Sequence, residues 1–292
     1  MTPEPTNDDN LNPLVSSEIS YGKLSVALEN ASPERKEIFK KLQTKTWFQN
    51  TTEELQVELA SLPGEAKNSF DGFLQDLAER PERLSNVNVI SLEKIARGNY
   101  GITPIFNVEN DKGDTYTYEY MSWRYGPESG AKGLVLIEDQ GQPTHFIILK
   151  GDKFATGKVE TDMPGGFIDL NVDGVSTALQ RVEREISEEL GLDEIVFKTD
   201  PVDLGKLAID PGMTNNRPSI FLASIDASQA SKLTDSPVNP DPYELTANVI
   251  IYPINQLREV VIGCEDSFFL ACVAKGWANG YIPFSTNHVL KN

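Results

Sequence analysis

Cysteine and histidine are both scarce in this chain of 292 residues. The only cysteines are Cys264 and Cys272, and the only histidines are His145 and His288. Two cysteines cannot build the disulfide framework of a small secreted domain. Neither residue type recurs at the short spacing of a Cys/His zinc site. The composition therefore excludes a disulfide-stapled scaffold and a zinc domain of that kind.

Basic residues are also few: 26 lysines and arginines stand against 44 acidic residues, and the formal net charge is −18. This balance argues against a broad basic face that would bind a nucleic-acid backbone. No apolar run approaches the ~20 residues that a membrane-spanning helix requires. Residues 1–12 are polar and acidic, unlike a signal or transit peptide. We therefore expect a cytoplasmic protein that binds neither an extended nucleic acid nor a membrane.

Hydrophobic residues make up 39% of the chain and charged residues 24%, which is enough for a globular core. The length predicts about two domains, or one domain with an appendage. Residues 1–31 lack periodicity and are predicted to form a mobile tail. Residues 32–86 are predicted to form a small helical unit, with Ser32 as an N-cap and residues 51–54 as a capping box. This N-terminal appendage shows no chemistry, so its simplest role is packing or partner binding.

The remaining segment, residues 87–292, mixes strand-like and helix-like patterns irregularly. Tyr116, Tyr118 and Tyr120 alternate with other residues as in a strand. Short apolar runs predict further strands at 133–137, 146–149, 204–209, 220–225 and 249–252. Helical patterns occur at 176–190, 254–260 and 265–278. This mixture predicts an α/β or α+β class with a mixed sheet.

The predicted helix at 176–190 has one apolar face and ends before a glycine. The apolar face consists of residues at helical spacing: Val175, Leu179, Val182, Ile186 and Leu190. Gly191 follows where a C-terminal cap is expected. The helix should therefore pack one face on a core and present the opposite edge to a site or to solvent.

Three glutamates share one edge of this helix. Glu185, Glu188 and Glu189 are three, one and four positions apart, so their side chains come close together. Their repulsion would vanish around a divalent cation, and oxygen ligands favour Mg²⁺, with Mn²⁺ as a substitute. Arg184 is placed to brace a neighbouring carboxylate. The alternative is a solvated acidic face, but the upstream Pro-Gly-Gly sequence at 164–166 and the glycine after the acids favour a site.

The sequence Arg-Glu-Ile-Ser-Glu-Glu-Leu-Gly-Leu at 184–192 resembles the second half of the Nudix box, in which every fixed position matches. Gly165 and Gly166 resemble the glycine pair that opens the box. The resemblance implies a Nudix hydrolase, with a mixed β-sheet sandwiched between helices and metal ions on the box helix. Such enzymes cut a pyrophosphate bond in nucleoside diphosphates linked to another moiety.

The first half of the box departs from the family pattern. Gly166 lies 18 positions before Arg184 instead of 14, so four extra residues occupy the loop. Counted back from Arg184, the first glutamate of the box would fall on Ser176, which would instead cap the helix. Alternatively the helix starts near Asp173, eleven positions before Arg184, and Asp173 replaces the missing acid on the same face.

Further segments resemble ADP-ribose pyrophosphatases within that family. Residues 162–169 look like their acid-x-Pro-x-Gly-x-x-Asp stretch, and residues 210–216 look like their Ser-Pro-Gly loop. Residues 249–257 resemble their late strand, its proline and the start of the next helix. The resemblance covers roughly residues 111–283. It implies ADP-ribose or a nucleotide sugar as the first candidate substrate, and it is compatible with a homodimer.

The resemblance also assigns roles to individual residues. Glu185, Glu188 and Glu189 would hold one to three Mg²⁺ ions, with the Gly166 carbonyl as a further ligand, and Glu189 would be the central ligand. Arg184 would brace it. The candidate general base is Glu244, for which an ordinary loop acid is the alternative interpretation. Candidate phosphate or ribose ligands are Arg124 and Arg217, each of which is otherwise a surface arginine.

Two other functions remain open at this level. The missing box acid and the extra N-terminal unit favour a non-catalytic Nudix domain that senses a nucleotide. A Nudix hydrolase of another substrate, such as capped RNA, a dinucleoside polyphosphate or a nucleoside triphosphate, would use the same chemistry. Product analysis on a substrate panel separates these functions.

Overall fold

The computed structural model describes residues 22–64, 69–167, 177–192, 197–230, 232–233 and 247–283. The chain divides into two compact units, Met1–Arg124 and Tyr125–Asn292. This boundary differs from the division predicted near residue 87. Residues 87–124 belong with the helical segment, because both contribute side chains to one hydrophobic core.

Helices form the N-terminal part of the first unit. A helical stretch at residues 22–27 is followed by α1 (Pro33–Gln43), α2 (Thr46–Gln49), α3 (Glu53–Ala60) and α4 (Asp71–Glu79). The predicted N-cap is confirmed, because the Ser32 hydroxyl accepts a hydrogen bond from the Arg35 N–H at 3.1 Å. The predicted capping box is wrong. The Thr51 hydroxyl instead donates to the Trp47 carbonyl and accepts from the Leu92 N–H at 2.9 Å.

A five-stranded antiparallel sheet completes the first unit. Its strands are β1 (Arg83–Leu84), β2 (Val87–Arg97), β3 (Gly101–Asn110), β4 (Thr115–Glu119) and β5 (Ser122–Trp123). The order is β1-β2-β3-β4, and β5 also pairs with β3. The strand predicted from the alternating tyrosines is present as β4, although Tyr120 lies just beyond it.

One hydrophobic core joins the helices of the first unit to this sheet. Phe39 and Trp47 from the helices and Leu92 and Phe106 from the strands belong to the same buried cluster. The rings of Trp47 and Phe106 meet edge to face with centroids 5.4 Å apart. Because the helices cover the apolar face of the sheet, a boundary between them would cut through this core. The sequence patterns showed where helices give way to strands, but this position is not the boundary between the two units.

The second unit contains a seven-stranded mixed sheet. Its strands are β6 (Gly130–Asp139), β7 (Gln142–Lys153), β8 (Lys158–Asp162), β9 (Gly165–Phe167), β10 (Phe197–Lys206), β11 (Ser219–Asp226) and β12 (Ala247–Pro253). The order is β10-β11-β6-β7-β12, with β8 paired to β7 and β9 paired to β6. Among the strand pairs that the structure describes in this sheet, only the β11–β6 pair is parallel. The predicted turn between β6 and β7 has positive φ angles at Gln140 and Gly141.

Helices cover both faces of this sheet, as predicted for the fold class. They are α5 (Ala178–Glu189), α6 (Ala227–Ala230), α7 (Leu257–Gly263) and α8 (Ser267–Ala278), with a 3₁₀ turn at Ile254–Gln256 before α7. Along β6, Val135 packs in a core with Ile186 of α5, whereas Leu136 packs in a second core with Phe269 of α8. The period-two alternation of a strand thus divides one apolar run between two layers.

The remaining expectations concern membranes and cysteines. No helix in the described ranges has the length and apolar character to cross a membrane. Both cysteines are free, and Cys272 is buried in the core beneath α8.

Candidate functional site

The helix that carries the acidic residues starts and ends with recognisable caps. Thr177, not Ser176, is the N-cap, and its hydroxyl accepts from the Gln180 N–H at 3.1 Å. The predicted C-terminal cap is confirmed. Gly191 has φ = +65°, and the Leu192 N–H donates to the Ser187 carbonyl at 3.0 Å, the pattern of a Schellman motif. The helix therefore begins close to the predicted start at Ser176, which like Asp173 lies outside the described residues.

Close packing against β6 sets the orientation of α5. Val182 and Ile186 are fully buried. A Cβ atom on Gly133 would lie 2.6 Å from Val182 Cγ2, so the glycine lets the helix approach the strand. Because Glu185 and Glu189 flank this buried stripe, they are turned towards the edge strand β9 (Gly165–Phe167), which pairs with β6.

The two glutamates meet the glycine pair of β9. The Glu189 carboxylate accepts a hydrogen bond from the Gly165 N–H at 2.9 Å. The Glu185 carboxylate lies so close to Gly166 that a Cβ atom there would overlap its Oε1. Glu185 and Glu189 therefore both contact the glycine pair of β9.

The environment of this pair disfavours two negative charges. The pKa of Glu189 is raised to about 8, chiefly by burial and also by the neighbouring Glu185, while the Gly165 hydrogen bond acts in the opposite direction. A carboxyl group whose pKa is raised this far retains its proton near neutral pH unless a cation compensates the negative charge of the ionised form. Such perturbed acids are typical of functional sites.

Two arginines on α5 pair with its acids, and sequence analysis identified only one of them. Arg184 Nε donates to Glu188 Oε1 at 2.7 Å. Arg181 is buried and its Nη1 donates to Glu185 Oε1 at 3.1 Å. The spacing of four positions between Arg181 and Glu185 is the signal that would have indicated this pair.

A second group of charged residues lies beside Glu189 and was also missed. Asp162, on β8, is buried and accepts from the ammonium groups of Lys132 and Lys153. Burial would raise the pKa of Asp162, but the two lysines outweigh it and hold the pKa below its usual value. Asp266, which caps α8 through a 2.7 Å bond from the Phe269 N–H, has a raised pKa because it is buried. Since these residues come from three strands and a helix N-terminus that are distant in the sequence, no local pattern brings them together.

Three further residues were predicted to belong to the site. Glu244 lies outside the described residues. Arg124 belongs to the first unit, where it is buried and its Nη1 donates to the Asn99 carbonyl at 2.6 Å. Arg217 is exposed, and its backbone N–H donates to the Pro127 carbonyl. The ligand roles predicted for these residues stay predictions.

The described part of the candidate site brings two carboxylates to the glycine pair. Among the residues that the structure describes, no group of three or more histidine, cysteine, aspartate or glutamate side chains is arranged to hold a metal ion. Glu188 pairs with Arg184 and Glu185 pairs with Arg181, and of the three box glutamates Glu185 and Glu189 are the ones that contact Gly165 and Gly166. Two crowded oxygen donors whose repulsion a cation would relieve match the chemistry of Mg²⁺ or Mn²⁺.

Replacing Gly166 by alanine is expected to displace Glu185 without unfolding the unit, because the new methyl group would overlap the carboxylate. Divalent-cation affinity, measured by calorimetric titration, should fall at least about tenfold, since a charge-assisted ligand would be moved. Gly157→Ala is the control for a glycine substitution, since a Cβ there meets nothing within 4 Å, although its φ of +66° adds some strain. Unchanged affinity in Gly166→Ala would show that Glu185 does not bind the ion from this position.

No family model matches the chain, and no curated protein matches it. One solved structure similar to it is the crystal structure of an ADP compounds hydrolase, with a TM-score of 0.48 and 17% identity, covering 69% of this chain and 100% of that one. Similarity at this level does not indicate a reaction or a substrate for this chain.

Proposed function

We propose that the second unit is a metal-dependent hydrolase that cuts the pyrophosphate bond of a nucleoside diphosphate linked to another moiety. One observation carries the proposal: Glu185 and Glu189, in a sequence that resembles the Nudix box, face the glycine pair Gly165 and Gly166. An acidic helix that merely faced solvent would not place two half-buried carboxylates against a glycine strand.

The chain's own residues hold the carboxylates in place for this chemistry. Gly165 orients Glu189 through its N–H, and Arg181 orients Glu185 through its guanidinium. Gly166 leaves room for the Glu185 carboxylate, and its carbonyl is the proposed further ligand. When bound there, Mg²⁺ would neutralise the pyrophosphate oxygens and acidify a water molecule for in-line attack on phosphorus. Glu244 remains the proposed general base.

The substrate class is proposed from the segments that resemble ADP-ribose pyrophosphatases. Asp162 and the glycine pair lie in the first of these, and its acid is anchored by two lysines beside the site. The second begins at Asp210, whose carboxylate and carbonyl accept bonds from the Gly212 and Thr214 N–H groups in a compact turn. These segments support ADP-ribose or a nucleotide sugar as the first substrates to test.

A non-catalytic nucleotide sensor is the second candidate. The arginine partners of the box glutamates favour it, since Arg181 and Arg184 already compensate part of the negative charge of Glu185 and Glu188. Binding of a nucleoside diphosphate derivative without turnover would identify this function.

The test is product analysis on the full-length protein. We expect Mg²⁺-dependent release of monophosphates from ADP-ribose or a nucleotide sugar in a panel that also includes capped RNA, dinucleoside polyphosphates and nucleoside triphosphates. Turnover must disappear on chelation with EDTA and return with Mg²⁺. If Mg²⁺ binds but no substrate in the panel is cleaved, the hydrolase proposal is refuted and the nucleotide sensor is favoured.

A further inference from the structure

The first unit contains a pocket with a volume of about 620 Å³. Its walls are formed by Pro63 and Phe70, which lie between α3 and α4, by residues 97–100 at the turn between β2 and β3, and by Arg124 after β5. All of these residues belong to the first unit. The volume lies within the range of about 300–1,000 Å³ that is typical of sites for small molecules.

Hydrogen bonds hold the walls of this pocket in place. On one side, the buried Arg35 donates from Nη2 to the Pro63 carbonyl at 2.8 Å, and the Phe70 N–H donates to the same carbonyl at 2.9 Å. On the other side, the Gly98 N–H donates to the Gly101 carbonyl at 2.8 Å and closes the turn between β2 and β3. A ligand would therefore enter a preformed pocket, which lowers the entropic cost of binding.

Two arginines give the pocket a positive charge. Arg124 is buried, and its Nη1 donates to the Asn99 carbonyl at 2.6 Å. Arg97 is exposed, with its Cζ 6.0 Å from the centroid of the Phe70 ring, and its guanidinium has no hydrogen-bond or ion-pair partner among the residues that the structure describes. The described wall residues include no aspartate or glutamate. In a chain with a net charge of −18, this local positive charge favours an anionic ligand.

Tyr100 adds an aromatic surface beside the two arginines. The Arg124 guanidinium lies over its ring, with Cζ 5.2 Å from the ring centroid. Tyr100 is nevertheless 64% exposed, so its ring remains accessible to a planar group. Guanidinium groups bind phosphate oxygens through paired hydrogen bonds, and aromatic side chains stack on flat rings. The pocket therefore offers one contact for a phosphate and another for a ring.

We propose that this pocket binds a small molecule of about the size of a mononucleotide, which carries both a phosphate group and an aromatic ring. Arg97 binds the phosphate, and Tyr100 stacks on the ring. Arg124 supplies fixed positive charge at the wall. The pocket shares no residue with the site that contains Glu185 and Glu189, so its ligand is bound in addition to the substrate proposed for the second unit.

The experiment measures ligand binding to the full chain by calorimetry in the presence of EDTA, so that no divalent cation is available to the second unit. The probes are AMP, which carries both groups, adenosine, which lacks the phosphate, and inorganic phosphate, which lacks the ring. We expect AMP to bind more tightly than either of the other two, because only AMP makes both contacts.

Three variants test the individual contacts. Arg97→Gln should raise the dissociation constant for AMP on the order of tenfold, as expected for the loss of a charge-assisted hydrogen bond. Lys94→Gln is the matched control, since Lys94 is exposed on the same strand and, three positions away, projects from the opposite face. Solvent screening should keep its effect below about twofold. Tyr100→Leu should weaken AMP binding about fivefold through lost stacking and leave the affinity for inorganic phosphate unchanged.

The proposal is overturned if the wild type does not bind AMP, or if Arg97→Gln binds AMP as the wild type does. Equal weakening in Arg97→Gln and Lys94→Gln would also overturn it, because it would indicate a general effect of net charge. Inorganic phosphate that binds as tightly as AMP, with no effect of Tyr100→Leu, would contradict the proposed class of ligand. Arg97 and Tyr100 are exposed, so both variants should fold, and thermal unfolding checks this. Neither a cation nor turnover enters the measurement, so its result is independent of the proposed hydrolase.

Discussion

Glu189→Gln is expected to lower the rate of pyrophosphate hydrolysis at least about a hundredfold, comparable to the loss of a principal electrostatic element of an active site. The substitution keeps the size of the side chain and removes the charge that would hold the cation. The Gly165 N–H can still donate to the amide oxygen, so the helix should keep its position. Turnover of ADP-ribose or a nucleotide sugar at saturating Mg²⁺ is the measurement.

Glu183→Gln provides the matched control for this substitution. Glu183 lies on the same helix two positions before Glu185, so its side chain leaves the helix on nearly the opposite side. The same chemical change should therefore leave turnover within about twofold of the wild type. Near-normal turnover in Glu189→Gln, or equal losses in both variants, would refute the assignment of Glu189 as a ligand.

A fragment of residues 125–292 is expected to unfold cooperatively, whereas a fragment of residues 87–292 should expose apolar surface. The shorter fragment retains both cores of the second unit. The longer one carries β2 and β3 without the helices that bury Leu92, Ile102 and Phe106. Each such side chain loses roughly 1.5–3 kcal/mol of burial free energy. Thermal unfolding and binding of a hydrophobic dye compare the two.

The full-length chain is the reference for this comparison. A double variant of the 87–292 fragment, Leu92→Ser with Phe106→Ser, should bind less dye, because the substitutions remove the exposed apolar groups themselves. If the 87–292 fragment instead unfolds cooperatively without binding dye, the predicted boundary near residue 87 is adequate and the shared core of the first unit is dispensable. A molten 125–292 fragment would show that the second unit needs residues before Tyr125.

The candidate site was predictable where its contacts are local. Glu185 and Glu189 lie one turn apart, so their shared edge follows from helical spacing. Glycine at 191 predicts the end of the helix for the same reason, since its positive φ is a local requirement. The pairing of Arg184 with Glu188 is also an i, i+4 contact.

Contacts between distant segments were not predictable in this way. Asp162 meets Lys132 and Lys153 only because β6, β7 and β8 pair in a particular register. A single-residue slip in a strand turns every side chain to the opposite face. In the sequence these three charged residues lie far apart, and nothing local indicates that they share one ion-pair group.

The sequence by itself determined the class of the second unit and the edge of the helix that bears its acids, because periodicity and capping act over a few residues. Only the tertiary structure decided that β2 to β5 belong with the N-terminal helices, since a shared core depends on which faces meet. It also decided that Glu185 and Glu189 face the glycine strand while Glu188 pairs with Arg184. The physical reason is the same in both cases: burial and charge compensation are set by neighbours in space, and distant strands become neighbours only through the fold.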